Sequence, residues 1–185
     1  MRPALLATTL ILLFGCAKSA PDATTWGNPE AMLDSLGIEL PTPPAPVANY
    51  VRSVRTGDLV FLAGHGPLTA DGSYVTGKLG RDLTTEEGYE AARLTGIALL
   101  ASLKAEIGNL NKVKRIVKVV GMVNATDDFT EQPNVINGHS DLMVAVFGEE
   151  RGKHARSAVG MASLPINIAV EIEMTVEVAS DDDRY

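Results

Sequence analysis

A strong helix signal in the middle of the chain most constrains the fold. Thr84 is a typical N-cap, Glu87 three residues later completes a capping box, and apolar residues then recur at helical spacing as far as Ile107 and Gly108. β-prone runs lie on both sides of this segment. A helix enclosed between strands predicts a domain in which helices pack on a sheet.

The remaining elements are predicted from turn residues and apolar periodicity. A hairpin turn at Thr56-Gly57-Asp58 separates the first two strands, and a second helix is predicted over residues 129–147, ending at Gly148. The predicted strands are residues 51–55, 59–64, a short one at 74–75, 113–123, 156–163 and 168–178. The order β-β-(β)-α-β-α-β-β predicts an α+β fold with two helices packed on one face of a mixed sheet.

The N-terminus has the layout of a secretory signal. Arg2 gives a basic start, residues 4–15 form an uncharged apolar run, and small or polar residues follow. The run closes on Leu13-Phe14-Gly15-Cys16, which resembles the lipobox of bacterial lipoproteins. That resemblance implies lipid attachment at Cys16 and anchoring in the periplasm at the cell envelope, with Ala17 favouring the outer membrane. The alternative is a free thiol within an ordinary cleaved signal. Because Cys16 is the only cysteine, no intramolecular disulfide can form.

Four segments are predicted along the chain. Residues 1–15 are the signal peptide, and residues 16–46 form a tether with a short helix, begun by Asn28-Pro29 and stopped by Gly37, and a proline-rich spacer at 41–46. Residues 47–179 form the folded domain, and residues 180–185 form an acidic tail.

Charge disfavours a nucleic-acid partner. The formal net charge is −7, whereas phosphate binding needs clustered Lys and Arg. One basic cluster falls on a predicted strand, where we interpret it as a solvated face or a charge-protected edge; it comprises Lys112, Lys114, Arg115 and Lys118. No metal site is predicted, because the three histidines show no metal-ligand spacing.

Arg156 and Glu171 are the strongest functional candidates, on adjacent extended segments near the C-terminus. A guanidinium is a rigid two-pronged donor that fits a carboxylate, and a nearby glutamate can hold or activate a water. The pair suits a small carboxylated substrate. The alternative is a surface salt bridge, because exposed Arg and Glu are common on strands.

Several motifs taken together resemble the RidA (YjgF/YER057c/UK114) family, over about residues 47–178. They are Tyr50-Val51, Ala63-Gly64-His65-Gly66-Pro67, Asn137, Ala155-Arg156-Ser157, Leu164-Pro165 and Val170-Glu171-Ile172-Glu173. The resemblance implies a chorismate-mutase-like α+β fold. It also implies a homotrimer whose small-molecule clefts lie between subunits.

The same resemblance implies hydrolysis of reactive enamines and imines to 2-keto acids and ammonia, without a metal or organic cofactor. Arg156 matches the arginine that grips the substrate carboxylate, and Glu171 matches the glutamate that places the attacking water. The candidate substrate-binding residues are Tyr50, Gly64, His65, Asn137 and the carbonyl of Ala158.

The chain departs from the family pattern in one motif. Active deaminases of the family usually carry Ser-Gly-Gln or a similar polar trio where this chain has Ala63-Gly64-His65, so we place it in a divergent branch. The alternative function is a non-catalytic trimer that binds a small carboxylate at the cell envelope. Endoribonuclease activity, a label attached to some relatives, is a third reading that the acidic charge disfavours.

Overall fold

A five-stranded mixed sheet with two long helices on one side forms the centre of the molecule. This computed structural model describes residues 27–43, 45 and 48–180. The strands are β1 Ser53–Thr56, β2 Leu59–His65, β3 Val113–Asn124, β4 Ala155–Met161 and β5 Val170–Val178. The α-helices are α1 Pro29–Ser35, α2 Thr85–Ile107 and α3 Gln132–Gly152. The strand order is β1-β2-β5-β3-β4; only the β3–β4 pair is parallel. The predicted α+β fold with a mixed sheet is therefore confirmed.

Helix α2 begins where the capping box predicts. The Glu87 backbone N–H donates to Thr84 Oγ1 at 3.2 Å, and the Thr84 N–H donates to Glu87 Oε2 at 2.8 Å. Gly108 ends the helix with a φ of 79°, a conformation that glycine adopts without a steric cost. Between these ends, Leu99 and Leu103 are fully buried against the sheet side of the core.

Other elements differ from the predicted bounds. Helix α3 starts at Gln132 rather than 129, and it continues past Gly148 to Gly152 with non-helical angles at Gly148. The predicted strand at 74–75 makes only isolated bridges, between Tyr74 and Leu68 and, at the following residue, between Thr76 and Ile168. A 3₁₀ turn at Pro165–Asn167 separates β4 from β5, which delays the start of β5 to Val170.

The short first helix packs on the domain. Met32 and Leu33 are buried, and Leu33 belongs to the main hydrophobic core. Glu30 accepts hydrogen bonds from the Leu110 backbone N–H at 2.9 Å and from Lys104 Nζ. Packed structure therefore extends N-terminal of the predicted domain start at 47, into the segment predicted as a tether.

The two faces of the sheet differ in character. The helix face is covered by α2 and α3, and its side chains Val60, Val119 and Ile172 are fully buried. The opposite face, here the open face, carries no helix of the described chain. It presents Val54, Phe61, Val120, Met122, Val159, Glu171 and Glu173, as the strand registers require. Its apolar members Val54, Phe61 and Val159 are 54%, 45% and 43% exposed.

Two predictions concern parts of the chain that the structure does not describe. The signal peptide with Cys16 and nearly all of the acidic tail lie outside the described residues. Within the described residues, no helix combines the length and the apolar character needed to cross a membrane.

Candidate functional site

Arg156 projects from β4 onto α3. Its Nη1 donates to Asn137 Oδ1 at 2.8 Å and to Ser140 Oγ at 3.0 Å, and its Nη2 donates to the Pro133 carbonyl at 3.4 Å. All three acceptors are neutral oxygens. The Arg156 charge therefore has no carboxylate partner among the described residues, and it remains available to an anion.

A shallow depression of about 330 Å³ surrounds Arg156 at the edge of the sheet. Lys153, His154 and Asp141 line it beside Arg156, and Lys153 forms an ion pair with Glu149. His154 Nδ1 donates to the Gly152 carbonyl oxygen at 2.7 Å, which fixes the ring proton on Nδ1. Ser140 Oγ lies 3.1 Å from the other ring nitrogen, His154 Nε2. Burial, and then the charge of Arg156, lower the pKa of His154 despite the Gly152 hydrogen bond, so the imidazole is neutral near pH 7.

His139 lies behind this depression and is completely buried. Its ring is 6.0 Å from that of His154, and neither of its nitrogens has a hydrogen-bond partner among the described residues. Burial, followed by the charges of His154 and Arg156, lowers the pKa of His139 to about 3. His139 is therefore an uncharged part of the α3 packing surface.

Glu171 lies on the open face, next to Gly64. A β-carbon added to Gly64 would lie 2.0 Å from Glu171 Oε1, so only glycine lets this carboxylate lie across the β2 backbone. Burial raises the pKa of Glu171, and the charge of Glu173 raises it further. A carboxylate with a raised pKa is a stronger base at neutral pH than an exposed one.

Arg156 and Glu171 do not meet within one chain. Arg156 pairs with Val119 on the helix face, whereas Glu171 pairs with Met122 on the open face. Two strand spacings and three residues along the strand separate their Cα atoms, a distance of about 14 Å. The structure therefore contains no Arg156–Glu171 salt bridge within the chain.

Tyr50 and His65 line a different space, a cavity of about 150 Å³ between β2 and α2. A register shift between β2 and β5 at Leu62/His65 accompanies the turn of the His65 ring towards α2. His65 Nδ1 lies 2.7 Å from the Ala63 carbonyl and must donate to it, so Nε2 of the neutral ring accepts from Ser102 Oγ at 2.7 Å. Burial, and then the charge of Arg52, lower the pKa of His65 despite the Ala63 hydrogen bond.

The predicted site residues do not form one site within the chain. Asn137 holds Arg156 at the sheet edge, whereas Gly64 supports Glu171 on the open face and also lines the cavity that Tyr50 and His65 border. Ala158 pairs with Gly121 on the helix face and packs against the core.

Sequence reasoning did not single out Arg52, Ser102 or Ser140. Ser102 carried a usable signal, because it is a polar residue within the apolar periodicity of α2 and is 3% exposed. Arg52 and Ser140 carried no such sequence signal, because a single polar residue beside a strand or on a helix is ordinary.

Comparison with known proteins identifies the family. The family model described as "YjgF/chorismate_mutase-like, putative endoribonuclease" matches residues 30–178. Protein TCP17 of Trypanosoma cruzi is 46% identical over 151 residues, which cover 82% of this chain and 94% of TCP17. This chain therefore belongs to the YjgF/RidA-like family.

Two crystal structures are similar over most of the chain. Protein Atu1372 of Agrobacterium tumefaciens, described as of unknown function, has 41% identity and a TM-score of 0.75, covering 84% of this chain and 94% of its own. A protein of Shewanella oneidensis MR-1 described as a "putative endoribonuclease" has 32% identity and a TM-score of 0.78, covering 82% and 99%.

Proposed function

We propose that this protein hydrolyses small imines or enamines that carry a carboxylate, in clefts between the subunits of a homotrimer. The observation that carries the proposal is the placement of Arg156, whose charge meets only neutral oxygens at the edge of the sheet. Asn137 and Ser140 orient the guanidinium without neutralising it. A substrate carboxylate can therefore complete the site with charge-assisted hydrogen bonds.

The reaction requires little beyond orientation. Water adds to the electrophilic imine carbon, Glu171 accepts a proton from that water, and the resulting carbinolamine expels ammonia to leave the keto group. The products are a 2-keto acid and ammonia, and the net reagent is one water. The raised pKa of Glu171 suits it to take and return this proton.

The position of Glu171 supports a site shared between subunits. Arg156 and Glu171 lie on opposite faces of one sheet, so a single ligand can contact both only if they come from different chains. The open face carries exposed Val54, Phe61 and Val159, which gives it an apolar surface suited to burial against another copy. A cyclic trimer would repeat this contact three times and close it.

Hydrolysis can be measured with imines released by an amino-acid oxidase, in competition with a chemical scavenger. We expect Arg156→Ala to lower kcat/KM by roughly 100-fold through lost carboxylate binding. We expect Glu171→Gln to lower kcat by about 100-fold through lost proton transfer. Glu177→Gln is the matched control, because it removes the same charge from the same face of β5, farther along the strand.

Mixing the two impaired variants tests whether the site is shared. If Arg156 and Glu171 of different subunits form one site, random mixed trimers of Arg156→Ala and Glu171→Gln chains contain intact sites at about one quarter of positions. Recovery of about one quarter of the wild-type rate after joint refolding is the expected result. No recovery, with mixed trimers verified by mass spectrometry, contradicts the shared site.

Failure of the wild-type protein to accelerate hydrolysis of any imine tested would overturn the catalytic proposal. In that case, a rise in melting temperature with 2-keto acids that disappears in Arg156→Ala would support the alternative, a non-catalytic carboxylate-binding trimer. Detection of an acylated Cys16 in the mature protein would support the proposed lipid anchoring at the cell envelope.

A further inference from the structure

We propose that His154 is a positioning residue for Arg156, which it holds through the Ser140 hydroxyl, and that a proton gained by His154 strengthens the grip of Arg156 on a substrate carboxylate. The inference rests on the proposed function, because it concerns how that carboxylate site is regulated. Its basis is a chain of hydrogen bonds with a fixed direction, which runs from the Gly152 carbonyl to the guanidinium.

The direction of the chain follows from its first bond. Because the Gly152 carbonyl oxygen can only accept, His154 Nδ1 must donate to it, at 2.7 Å. In the neutral ring Nε2 is then an acceptor, so the Ser140 hydroxyl donates to it at 3.1 Å. Ser140 Oγ keeps its lone pairs for Arg156, whose Nη1 donates to it at 3.0 Å. The neutral imidazole therefore fixes Ser140 as an acceptor for the guanidinium.

The bonds to α3 also decide which donors of Arg156 remain for a ligand. Nη1 has two N–H groups, and Asn137 Oδ1 and Ser140 Oγ accept them. Nε has no partner among the described residues, and Nη2 donates only to the Pro133 carbonyl, at 3.4 Å. A carboxylate can therefore bind side-on at Nε and Nη2 while α3 holds Nη1 in place.

A proton on His154 Nε2 would reverse one bond of this chain. The Nε2–H of the imidazolium must donate, and Ser140 Oγ is the acceptor within reach. Ser140 would then accept from both His154 and Arg156, and its own hydroxyl hydrogen would be free to turn towards the depression that Ser140 lines. The site gains a positive charge and a hydroxyl donor together, and both favour an anion.

The sign of the pH effect follows from linkage. Burial lowers the pKa of His154 below its ordinary value of 6.5, so the ring is neutral at pH 8 and gains its proton as the pH falls. A bound anion favours the protonated ring, and the protonated ring favours the anion by the same free energy. Carboxylate affinity should therefore increase as the pH falls from 8 to 5.

The other charged or titratable groups around His154 do not change charge over this range. They are Arg156 on β4, Lys153 with its partner Glu149, Asp141 and His139 on α3, and Lys118 of β3, which bonds Ser157 on the open face. Arginine, lysine and carboxylate side chains ordinarily keep their charges there. Burial lowers the pKa of His139 to about 3, so this ring stays neutral.

Pyruvate is a suitable probe for the purified protein, because it is a 2-keto acid and stays a monoanion from pH 5 to pH 8. Titration calorimetry gives its affinity at both pH values. We expect the gain in affinity between pH 8 and pH 5 to be about threefold larger in the wild type than in His154→Gln, which takes no proton. Glu171 and His65, which a second copy would bring to the proposed cleft, titrate equally in both proteins and cancel from this comparison.

Three more variants separate the hydrogen-bond chain from general effects. Ser140→Ala should weaken pyruvate binding at pH 8 roughly fivefold, because Arg156 loses the acceptor that fixes Nη1. Ser140→Thr keeps the hydroxyl and should restore the affinity. His139→Leu is the matched control: it removes the neighbouring histidine of α3, and it should keep the wild-type pH dependence of binding.

Reciprocity gives a readout that needs no variant. Pyruvate should raise the pKa of His154, as followed by NMR of the ring nitrogens, because the coupling between proton and anion acts in both directions. If His154→Gln fails to fold, this titration decides.

Equal pH dependence in the wild type and a folded His154→Gln would overturn the inference. So would unchanged affinity in Ser140→Ala, no rise in the pKa of His154, or no pyruvate binding at either pH. Imine hydrolysis on the same samples is a separate readout. Binding linked to pH without hydrolysis would contradict only the proposed function, and hydrolysis without the linkage would contradict only this inference.

Discussion

Arg156 has a charge that no carboxylate of the described residues balances, and it lies beside a depression. Arg156 is held by the neutral oxygens of Asn137 and Ser140, and Arg52 by a backbone carbonyl. Arginine stays ionised at every physiological pH, so its charge must be met by solvent, protein or ligand. Beside a depression, that requirement favours an anionic ligand, which is why the proposed function begins from Arg156.

His139 should make the protein sensitive to acid. Its folded pKa of about 3 lies below its ordinary value of 6.5, so the unfolded chain binds more protons between these values. Stability is therefore complete above pH 6.5 and is lost as the pH falls towards 3. Through this one group, the free energy of unfolding falls by up to about 1.4 kcal/mol for each pH unit in that range.

The variant His139→Leu removes this proton-linked loss of stability, together with the two buried nitrogens of His139 that have no hydrogen-bond partner. We expect the variant to lose less stability than the wild type between pH 7.5 and pH 5, as measured by urea unfolding. Parallel loss of stability in the two proteins would show that His139 does not govern the acid response.

Helices α2 and α3 approach each other closely where α3 carries glycine. A β-carbon on Gly138 would lie 2.0 Å from the Tyr89 carbonyl oxygen of α2 and 3.1 Å from the Arg93 nitrogen. The obstacle is backbone, so it cannot be relieved by rotating a side chain. The close contact between α2 and α3 therefore requires a residue without a β-carbon at position 138.

We expect Gly138→Ala to destabilise the protein by about 2 kcal/mol or more, because the helices must separate. Ala145→Val adds carbon atoms to an exposed position of the same helix, and it should cost less than about 1 kcal/mol. Chemical denaturation of both variants checks the comparison. Equal effects would mean that α2 and α3 can shift at little cost.

Helix α1 should contribute to the stability of the domain. Met32, Leu33 and Ile38 are buried, and Glu30 links α1 to Lys104 and Leu110. A protein starting at residue 47 should therefore be less stable than one starting at residue 27, by roughly 3 kcal/mol, because this apolar surface becomes exposed. Thermal and urea unfolding of the two truncated proteins measures this difference in stability. Equal stability would make α1 a tether, as the sequence predicts.

The open face determines how whole molecules would associate. Val54, Phe61 and Val159 are exposed there, while the other face is covered by helices. Phe61→Lys should abolish self-association and leave the monomer folded, because the new charge lies on a surface that is exposed in one chain. Light scattering after gel filtration gives the mass. Leu36→Lys, at an exposed apolar position after α1, is the control that should retain the wild-type assembly. A Phe61→Lys protein with unchanged mass would exclude this face as the interface.

The local elements of this protein were largely predictable from sequence. The capping box at Thr84 and Glu87, the apolar periodicity of α2 and the strand runs depend on residues that are neighbours along the chain. The order of motifs around Gly64, Arg156 and Glu171 also indicated the family, because those short motifs keep their spacing. Bounds were less predictable where a single residue decides, as with the non-helical Gly148 inside α3.

The arrangement of the site depended on tertiary structure. Sequence spacing placed Arg156 and Glu171 on adjacent strands, but β5 pairs with β3 on one side and β2 on the other, and the pleat turns the two side chains to opposite faces. Similarly, Arg52 and Ser102 meet in one cavity only because α2 packs across β2. The sequence by itself determined which segments become helices and strands, through contacts between near neighbours. Only the folded chain decided which side chains share a surface, because that depends on strand register and on packing between residues far apart in sequence.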